Sequence, residues 1–425
     1  MMKFTTTALA LVLSATAAPA FAQYMPPPPP PPPRETAIQA QSPDQKQPEA
    51  KISGSVQPSS KARKALIDLQ KAVDANDVAN IPSKLAAADA VASTKEDRYL
   101  IGQMRLKAAL KANDSNAMRT AIDAIAASGY QSPAEVAKLY MALGGNLYNA
   151  KQYEPATAVL ERAAQLDPSN TDILLNLGEA RFAQGRPADA VSVFQRAIQA
   201  KLAAGQKPEE ALYKRALGIA YDNKLPNAIE LSREWVAAYP SADSWHNAIA
   251  ILRNQSQQDE EGTLDLMRLL QAVGALNTAG DYGLFAEAAA DQSNFNEAQA
   301  VMDAGIAAHI VNPADARYRD DIAGLKGKPK ASAADLEAAL KASPSAINVL
   351  RIGDRFYGMG NYSRAAEIYR QALSKGVDSN VGNLHLGMAL ARSGDKAGAS
   401  AAFKAVTGGR ADIAKFWLVY VQQHG

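Results

Sequence analysis

The side chains best suited to catalysis or metal binding in this sequence are its four histidines, His246, His309, His385 and His424. No two of them lie within a helical turn of each other, so the chain has neither an H-E-x-x-H motif nor an i, i+4 pair of metal ligands. Its acidic residues are scattered and do not form the paired cluster that general acid and base catalysis would need. We therefore interpret each histidine as a surface or packed residue, and we expect no catalytic site, metal or cofactor.

Other reactive motifs are missing or incomplete. The chain has no cysteine, which excludes disulfides, thiolate zinc sites, a cysteine nucleophile and a lipid anchor attached through cysteine. It also has no G-x-S-x-G motif. The segment 324–329 weakly resembles a phosphate-binding loop, but Ile322 stands where the first glycine belongs and Pro329 replaces the Ser or Thr. We interpret this segment as a basic turn.

The overall composition favours a helical protein without a nucleic-acid partner. The chain has 45 Lys and Arg against 43 Asp and Glu, a formal net charge of +2 over 425 residues, which is too balanced for a nucleic-acid-binding surface. Hydrophobic residues make up 47% of the chain and aromatic residues only 6%. The difference is mostly alanine, which favours closely packed helices over a sheet core.

Residues 1–22 have the pattern of a secretory signal peptide. Lys3 precedes a short apolar stretch over residues 8–13, and the small-residue site at 20–22 predicts cleavage before Gln23. That stretch is too short to span a bilayer, and no later run reaches spanning length, so we expect no transmembrane segment. The sequence predicts an exported protein of a Gram-negative envelope, periplasmic by default, with secretion as the alternative.

Residues 23–60 form a Pro-, Gln- and Ser-rich segment that cannot bury a core and is predicted to be disordered. Its eight consecutive prolines, residues 26–33, predict a polyproline II rod of roughly 25 Å, at about 3.1 Å per residue. The rod is either a passive linker or a functional element, namely a ligand for a proline-binding groove or a spacer towards the cell wall.

From residue 61 onward the pattern is helix, short turn, helix. Ser132, Pro133 and Glu135 place a cap, a first-turn proline and a reciprocal acidic residue at the spacing of a capping box. Ser332 and Asp335 give a similar arrangement. Both patterns predict the beginning of a helix rather than a binding site.

A sequence pattern also recurs with a period of 34 residues. Leu143 is followed at that distance by Leu177, and Ile352 by Leu386, and each is followed directly by a glycine. Two antiparallel helices approach closely only where a small residue lies at their crossing, while large residues one turn away fill the space between neighbours. The pattern closely resembles the tetratricopeptide repeat family, with four or five clear units.

This resemblance implies an all-α fold, an α-solenoid in which antiparallel helix pairs form a right-handed superhelix. We assign residues 61–130 to degenerate helical repeats, residues 131–409 to the repeat array and residues 410–425 to a C-terminal capping helix. Some members of the family are enzymes because a catalytic domain is fused to the array. Here the repeats run almost to Gly425, so we expect a protein that is not an enzyme.

In this family the first helices of successive repeats line a concave groove that binds peptides, and the resemblance assigns ten residues to it. They are Met141, Gly145, Tyr148, Leu175, Glu179, Phe182, Leu212, Arg215, Ile219 and Asp222. This mainly apolar set suits an amphipathic segment better than a charged tail. The positions that match the carboxylate clamp of chaperone-type members carry neither Lys nor Asn. The alternative for Tyr148 and Phe182 is burial between repeats.

The C-terminal helix, predicted to start near Ala411, carries six consecutive large apolar residues: Phe416, Trp417, Leu418, Val419, Tyr420 and Val421. Six positions at 100° intervals cover well over half of the helix circumference. We therefore expect part of this surface to stay exposed and to bind a second copy, giving a homo-oligomer, or another partner through Phe416, Trp417 and Tyr420. The alternative is that the segment folds back and is fully covered.

Two functions fit these features. The first is a non-catalytic scaffold or adaptor of the bacterial cell envelope, which holds a peptide or helix of a protein partner in its groove. The alternative is an accessory role in glycan handling, in polysaccharide export or a peptidoglycan-associated complex. The clear repeats lack the dense cluster of aromatic residues with carboxylates or amides that is typical of carbohydrate sites.

Overall fold

The computed structural model describes residues 56–256, 258–342 and 345–424. The predicted signal peptide and polyproline rod lie outside the described residues. Within those ranges the regular structure is helical throughout, with 21 α-helices, one short 3-10 helix and no strand. None of the described helices is long and apolar enough to cross a membrane. This confirms the all-α, tetratricopeptide-like solenoid that the sequence predicts.

The chain divides into two compact units, unit 1 up to Asn223 and unit 2 from Lys224 onward. Within each unit almost every helix packs against the next one along the chain. The helices of unit 1 are α1 (Arg63–Asp74), α2 (Ile81–Val91), α3 (Lys95–Ala112), α4 (Ser115–Ser128), α5 (Pro133–Asn149), α6 (Tyr153–Leu166), α7 (Thr171–Ala183), α8 (Pro187–Ala203) and α9 (Glu210–Asp222).

Unit 2 contains the remaining helices, together with the 3-10 helix Gly408–Arg410. They are α10 (Ala228–Ala238), α11 (Ala242–Gln255), α12 (Glu260–Ala272), α13 (Ala279–Asp291), α14 (Phe295–Ala307), α15 (Ala316–Lys326), α16 (Ala333–Ala342), α17 (Ala346–Gly358), α18 (Tyr362–Ser374), α19 (Ser379–Ser393), α20 (Lys396–Lys404) and α21 (Ala411–Gln423).

Both predicted capping boxes begin helices. The Ser132 hydroxyl accepts from the backbone N–H of Glu135, whose carboxylate accepts in return from the backbone N–H of Ser132, at 3.3 and 2.8 Å. Ser332 and Asp335 exchange the same two bonds at the start of α16. Each box satisfies two backbone N–H groups that the first turn of a helix leaves without partners.

The glycine of each clear repeat lies at a helix crossing. A Cβ atom added at any of four such glycines would lie 2.5–2.6 Å from a carbon of a large side chain on the following helix. The pairs are Gly144 with Leu160, Gly178 with Phe194, Gly353 with Tyr369 and Gly387 with Phe403. The 34-residue pattern therefore has a physical cause, because only glycine lets the two helices of a repeat come this close.

The C-terminal helix α21 is covered by its own unit, so the prediction that it exposes a docking surface was wrong. It packs against α10, α12, α19 and α20. Phe416 and Trp417 are completely buried and Tyr420 is 9% exposed. The prediction failed because it assumed that a terminal helix has one neighbouring helix, whereas this helix packs against four and only a stripe that includes Lys415 and Gln422 stays exposed.

Candidate functional site

The residues predicted to line the groove all lie in unit 1, on α5, α7 and α9. Seven of them are partly exposed and one is exposed. The partly exposed residues are Met141, Gly145, Tyr148, Leu175, Glu179, Phe182 and Arg215, and the exposed one is Asp222. Tyr148 and Phe182 are therefore not enclosed in the core, which leaves part of each ring available for contact with a partner.

Leu212 and Ile219 are corrections to the predicted set. They are only 6% and 3% exposed, so their side chains belong to the core of unit 1 and not to an accessible surface. Together with Ala216 they have the i, i+4, i+7 spacing of one helix face, and that face of α9 is buried. Arg215 and Asp222 lie on another face of α9, which contributes the accessible residues.

Four of the predicted residues come together in what we call the Arg215 cluster: Tyr148, Glu179, Phe182 and Arg215. The Arg215 guanidinium donates from Nε and Nη2 to the two carboxylate oxygens of Glu179, at 2.8 and 2.7 Å. Its central carbon also lies 4.8 Å from the ring centroid of Phe182. The hydrogen bonds to Glu179 raise the pKa of Arg215, and Tyr148 adds to that electrostatically.

The Arg215 cluster therefore links α7 and α9 directly, and Tyr148 of α5 acts on Arg215 electrostatically. The two-point bond to Glu179 fixes the plane of the guanidinium, and the guanidinium in turn covers one face of Phe182. An ion pair of this kind presents little net charge, while the two aromatic rings beside it remain partly exposed. Such a surface suits the apolar face of a peptide with a few polar contacts.

Unit 2 contains a buried ionic network that the sequence analysis missed. Arg268 is fully buried and donates from Nε and Nη2 to the Glu297 carboxylate, at 2.9 and 2.8 Å. Its Nη1 lies 3.6 Å from Asp265 and 3.5 Å from Asp354. The same guanidinium lies 4.8 Å from the ring centroid of Tyr357. The network joins α12, α14 and α17, which contribute charged groups that are far apart in the sequence.

His385 lies between two carboxylates of this network. Its Nδ1 is 2.9 Å from Asp354 Oδ1 and its Nε2 is 3.2 Å from Asp265 Oδ1. Only the doubly protonated ring can direct an N–H towards both acceptors. Burial lowers the pKa of His385, but Asp265 and Asp354 outweigh that effect and raise it well above its ordinary value. Burial raises the pKa of Asp354, but His385, Arg268 and a hydrogen bond from Tyr369 lower it to about 2.

This arrangement predicts a specific pH dependence for His385→Gln. A raised pKa means that the folded state binds the proton of His385 more tightly than the unfolded state does. The stabilisation of unit 2 by protonated His385 is therefore complete below the ordinary histidine pKa of about 6.5. This stabilisation is lost as the pH rises towards the raised pKa of His385 in the folded state. We expect unit 2 to have a higher free energy of unfolding in the wild type than in His385→Gln, with the largest difference at pH 6. This difference should shrink steadily up to pH 9.

Urea denaturation followed by tryptophan fluorescence measures this difference, because Trp235, Trp245 and Trp417, the three tryptophans of the chain, all lie in unit 2. The control is His424→Gln, an exposed position of the same unit, for which we expect a stability change within about 0.5 kcal/mol. A difference between wild type and His385→Gln that stays constant from pH 6 to 9 would show that His385 is not charged in the folded state.

The remaining histidine contacts do not form a catalytic arrangement. His246 Nε2 lies 3.3 Å from Asp281 Oδ1, but the nearby Thr278 hydroxyl donates to Asp281 Oδ2 at 2.7 Å. To act as a nucleophile, the Thr278 hydroxyl would instead have to donate its proton to His246. Among the residues that the structure describes, no three His, Asp or Glu side chains are grouped as metal ligands.

Comparison with known proteins identifies two repeat segments. Residues 147–206 and residues 350–414 match models of the tetratricopeptide repeat family. The first segment contains α6, α7 and α8, and the second contains most of α17 together with α18, α19 and α20. The sequence has no significant match among curated proteins.

Several solved structures are similar to this chain. One comes from a functional characterisation of PilF of Pseudomonas aeruginosa, with 15% identity over 58% of this chain and 97% of that chain and a TM-score of 0.24. A tetratricopeptide repeat protein of Parabacteroides merdae has 16% identity over 69% and 99%, with a TM-score of 0.26. The tetratricopeptide repeat domain of P58(IPK) has 14% identity over 85% and 97%, with a TM-score of 0.21.

Proposed function

Since residues 147–206 and 350–414 match tetratricopeptide repeat models, we propose that this protein is a non-catalytic scaffold of the bacterial cell envelope. Tetratricopeptide repeats generally mediate contacts between proteins, and the proposal assigns the partner, a peptide or helix, to the surface formed by α5, α7 and α9. The predicted signal peptide supports the envelope location. Periplasmic export and the envelope partner are both parts of the proposal.

The Arg215 cluster is the observation that carries this proposal. Three first helices of successive repeats each contribute partly exposed side chains to one surface, with Met141 and Leu175 on the same helices. Aromatic residues and arginine are the side chains most often found at the energetic centre of protein interfaces. Because Glu179 already holds Arg215 in place, a partner does not have to order that side chain on binding.

The alternative role in glycan handling has less support from this surface. Sugar rings stack on aromatic faces, and the Arg215 guanidinium already covers one face of Phe182. The carboxylate of Glu179 is engaged by the same guanidinium through both of its oxygens. Glu179 and one face of Phe182 are therefore already engaged within the protein.

A photo-crosslinking experiment tests the proposed surface. Leu175 is replaced by p-benzoylphenylalanine in cells of the native host, and Leu202, an exposed apolar residue on α8, serves as the control position. We expect discrete protein adducts in the periplasmic fraction from position 175 and none from position 202. Adding Tyr148→Ser and Phe182→Ser should reduce the adducts at least tenfold, because two anchoring rings are lost.

Thermal and urea denaturation show whether the two serine substitutions leave the fold intact. Both rings are partly exposed, so we expect a cost of roughly 1–2 kcal/mol each, below the roughly 3–5 kcal/mol for a fully buried aromatic residue. Unchanged adducts in the double variant would contradict the groove assignment. Adducts that contain glycan in place of protein would favour the alternative function.

A further inference from the structure

Three aromatic side chains of unit 1 lie near one another at its surface. The rings of Tyr148 and Tyr153 have centroids 5.4 Å apart and are tilted by 57°. Tyr148 also acts electrostatically on Arg215, whose guanidinium lies against the ring of Phe182. All three aromatic residues are partly exposed. We call Tyr148, Tyr153 and Phe182 the aromatic strip.

Arg215 has a hydrogen-bond donor to spare beside this strip. Its two bonds to Glu179 use Nε and Nη2, and they engage both oxygens of that carboxylate. Nη1 of Arg215 has no hydrogen-bond partner among the described residues. The aromatic strip therefore suits a ligand that brings apolar rings and hydrogen-bond acceptors.

A run of prolines is a ligand of this kind. Proline has no backbone N–H, so such a run presents only carbonyl acceptors and apolar rings. Proline-rich segments bind to surfaces lined by aromatic residues, and their polyproline II conformation is already formed, so that little entropy is lost on binding. Another extended peptide would also bring N–H groups, and both oxygens of Glu179 are already engaged by Arg215.

The chain itself carries such a segment, the eight consecutive prolines at residues 26–33, which lie outside the described residues. The 22 residues from Arg34 to Ser55 connect them to Val56. A random coil of that length has an average end-to-end distance of roughly 25 Å, and about 70 Å is its limit when extended.

The point at which this connection enters unit 1 is fixed. The backbone N–H and the hydroxyl of Ser59 both donate to the carboxylate of Asp97 at 2.8 Å, and Asp97 is completely buried at the start of α3. The 18 residues of α3 are about 27 Å long. Four helix spacings of about 10 Å lead from α3 to α7 at most. The aromatic strip is therefore within reach of residues 26–33.

On the basis of the groove function proposed above, we propose that the aromatic strip binds residues 26–33 of the same chain. The proline rings lie on Tyr148, Tyr153 and Phe182, and Arg215 donates from Nη1 to a backbone carbonyl of the segment. Tethering gives the segment an effective concentration on the order of millimolar, so weak contacts are sufficient for binding. A partner of the groove then has to displace the segment, which acts as an intramolecular competitor.

Fluorescence anisotropy with the full chain tests the occupancy. The probe is a fluorescein-labelled octaproline peptide, and in one variant of the protein four Gly-Ser repeats replace residues 26–33 at equal length. We expect saturable binding of the probe to this Gly-Ser variant. Binding to the unaltered chain should be at least tenfold weaker, because its own prolines occupy the strip. A labelled peptide of four Gly-Ser repeats should bind to neither protein.

A matched pair of substitutions in the Gly-Ser variant locates the binding surface. Tyr153→Ser should weaken binding of the octaproline probe at least fivefold. Tyr130→Ser should leave it unchanged, because Tyr130 is a partly exposed tyrosine of the same unit that stacks on Tyr99 and lies outside the strip. Equal loss of binding in the two variants would overturn the assignment to the strip. Absence of saturable binding, or equal binding to the Gly-Ser variant and the unaltered chain, would overturn the proposal as a whole.

Photo-crosslinking of the purified protein identifies the occupant directly. With p-benzoylphenylalanine in place of Leu175, which is partly exposed on α7, we expect a link to the tryptic peptide that ends at Arg34. The linked protein should have the mass of one chain. A link only at the mass of two chains would overturn the intramolecular assignment in favour of a second copy, and no link to that peptide would overturn it altogether.

The failure of this inference can be distinguished from the failure of the proposed function. Adducts with envelope proteins at position 175 in cells, combined with no binding of octaproline to the Gly-Ser variant, would overturn the inference and leave the scaffold function intact. Octaproline binding without any such adduct would contradict the scaffold function and support the intramolecular contact.

Discussion

Replacing Trp417 with alanine is expected to lower the free energy of unfolding of unit 2 by about 3–5 kcal/mol, the usual cost of removing a buried large aromatic side chain. Trp417 is completely buried in α21. Its ring stacks on Phe403 at a centroid distance of 5.9 Å and meets the edge of Tyr420 at 5.3 Å. The substitution leaves a cavity between α20 and α21 that the surrounding helices can close only in part.

Urea denaturation followed by the fluorescence of Trp235 and Trp245 measures this effect, since both remain in unit 2. Lys415→Ala is the control, because Lys415 is exposed on the same helix and its replacement should cost no more than about 0.5 kcal/mol. Unchanged stability of Trp417→Ala would contradict the burial of this side chain between α20 and α21.

The parts of the fold that depend on local pattern could be predicted from the sequence. A capping box needs only residues three positions apart, as in Ser132 and Glu135, and its hydrogen bonds are those expected. The contact of Gly178 with Phe194 is likewise contained within one repeat, since the helices of a pair follow each other directly. Periodicity and short connections are sufficient for both, because no distant part of the chain takes part.

The environment of α21 could not be predicted in the same way, whereas the buried face of α9 could. The number of helices around Trp417 depends on α10, which lies far away in the sequence. For α9 the sequence does carry the signal of the buried face. Leu212, Ala216 and Ile219 have the spacing of one buried face, and giving that spacing priority over the repeat register would have excluded Leu212 and Ile219 from the groove.

The ionic network was missed because its charges are spread over several helices, yet one feature of the repeats indicates it. Asp354 and Glu179 each directly follow the crossing glycine of their repeat, and an aromatic residue comes three positions later, Tyr357 and Phe182 respectively. In both units this carboxylate and ring engage one arginine, with the guanidinium carbon 4.8 Å from the ring centroid. Arg215 remains partly exposed, whereas Arg268 is sealed inside unit 2.

That difference in burial leads to the second large effect, which we expect for Arg268→Met. Methionine keeps much of the apolar stem but removes the charge that compensates Glu297, Asp265 and Asp354. Removing one partner of a buried ion pair costs about 3–5 kcal/mol, because the remaining charge stays buried and unpaired. We therefore expect unit 2 to lose that amount in urea denaturation followed by tryptophan fluorescence. Arg319→Met, at an exposed ion pair of the same unit, should cost less than about 1 kcal/mol.

A double-mutant cycle separates the loss of the ion pair from the loss of packing. Glu297 has Arg268 and Asn294 as its hydrogen-bond donors, so adding Glu297→Gln to Arg268→Met removes the unpaired carboxylate and keeps the shape of the side chain. We expect the double variant to regain more than about 1 kcal/mol relative to Arg268→Met alone. The losses of unfolding free energy in Arg268→Met and Glu297→Gln could instead simply add in the double variant. That result would show that the guanidinium of Arg268 acts through packing alone, because the charge of Glu297 would then be stabilised without Arg268.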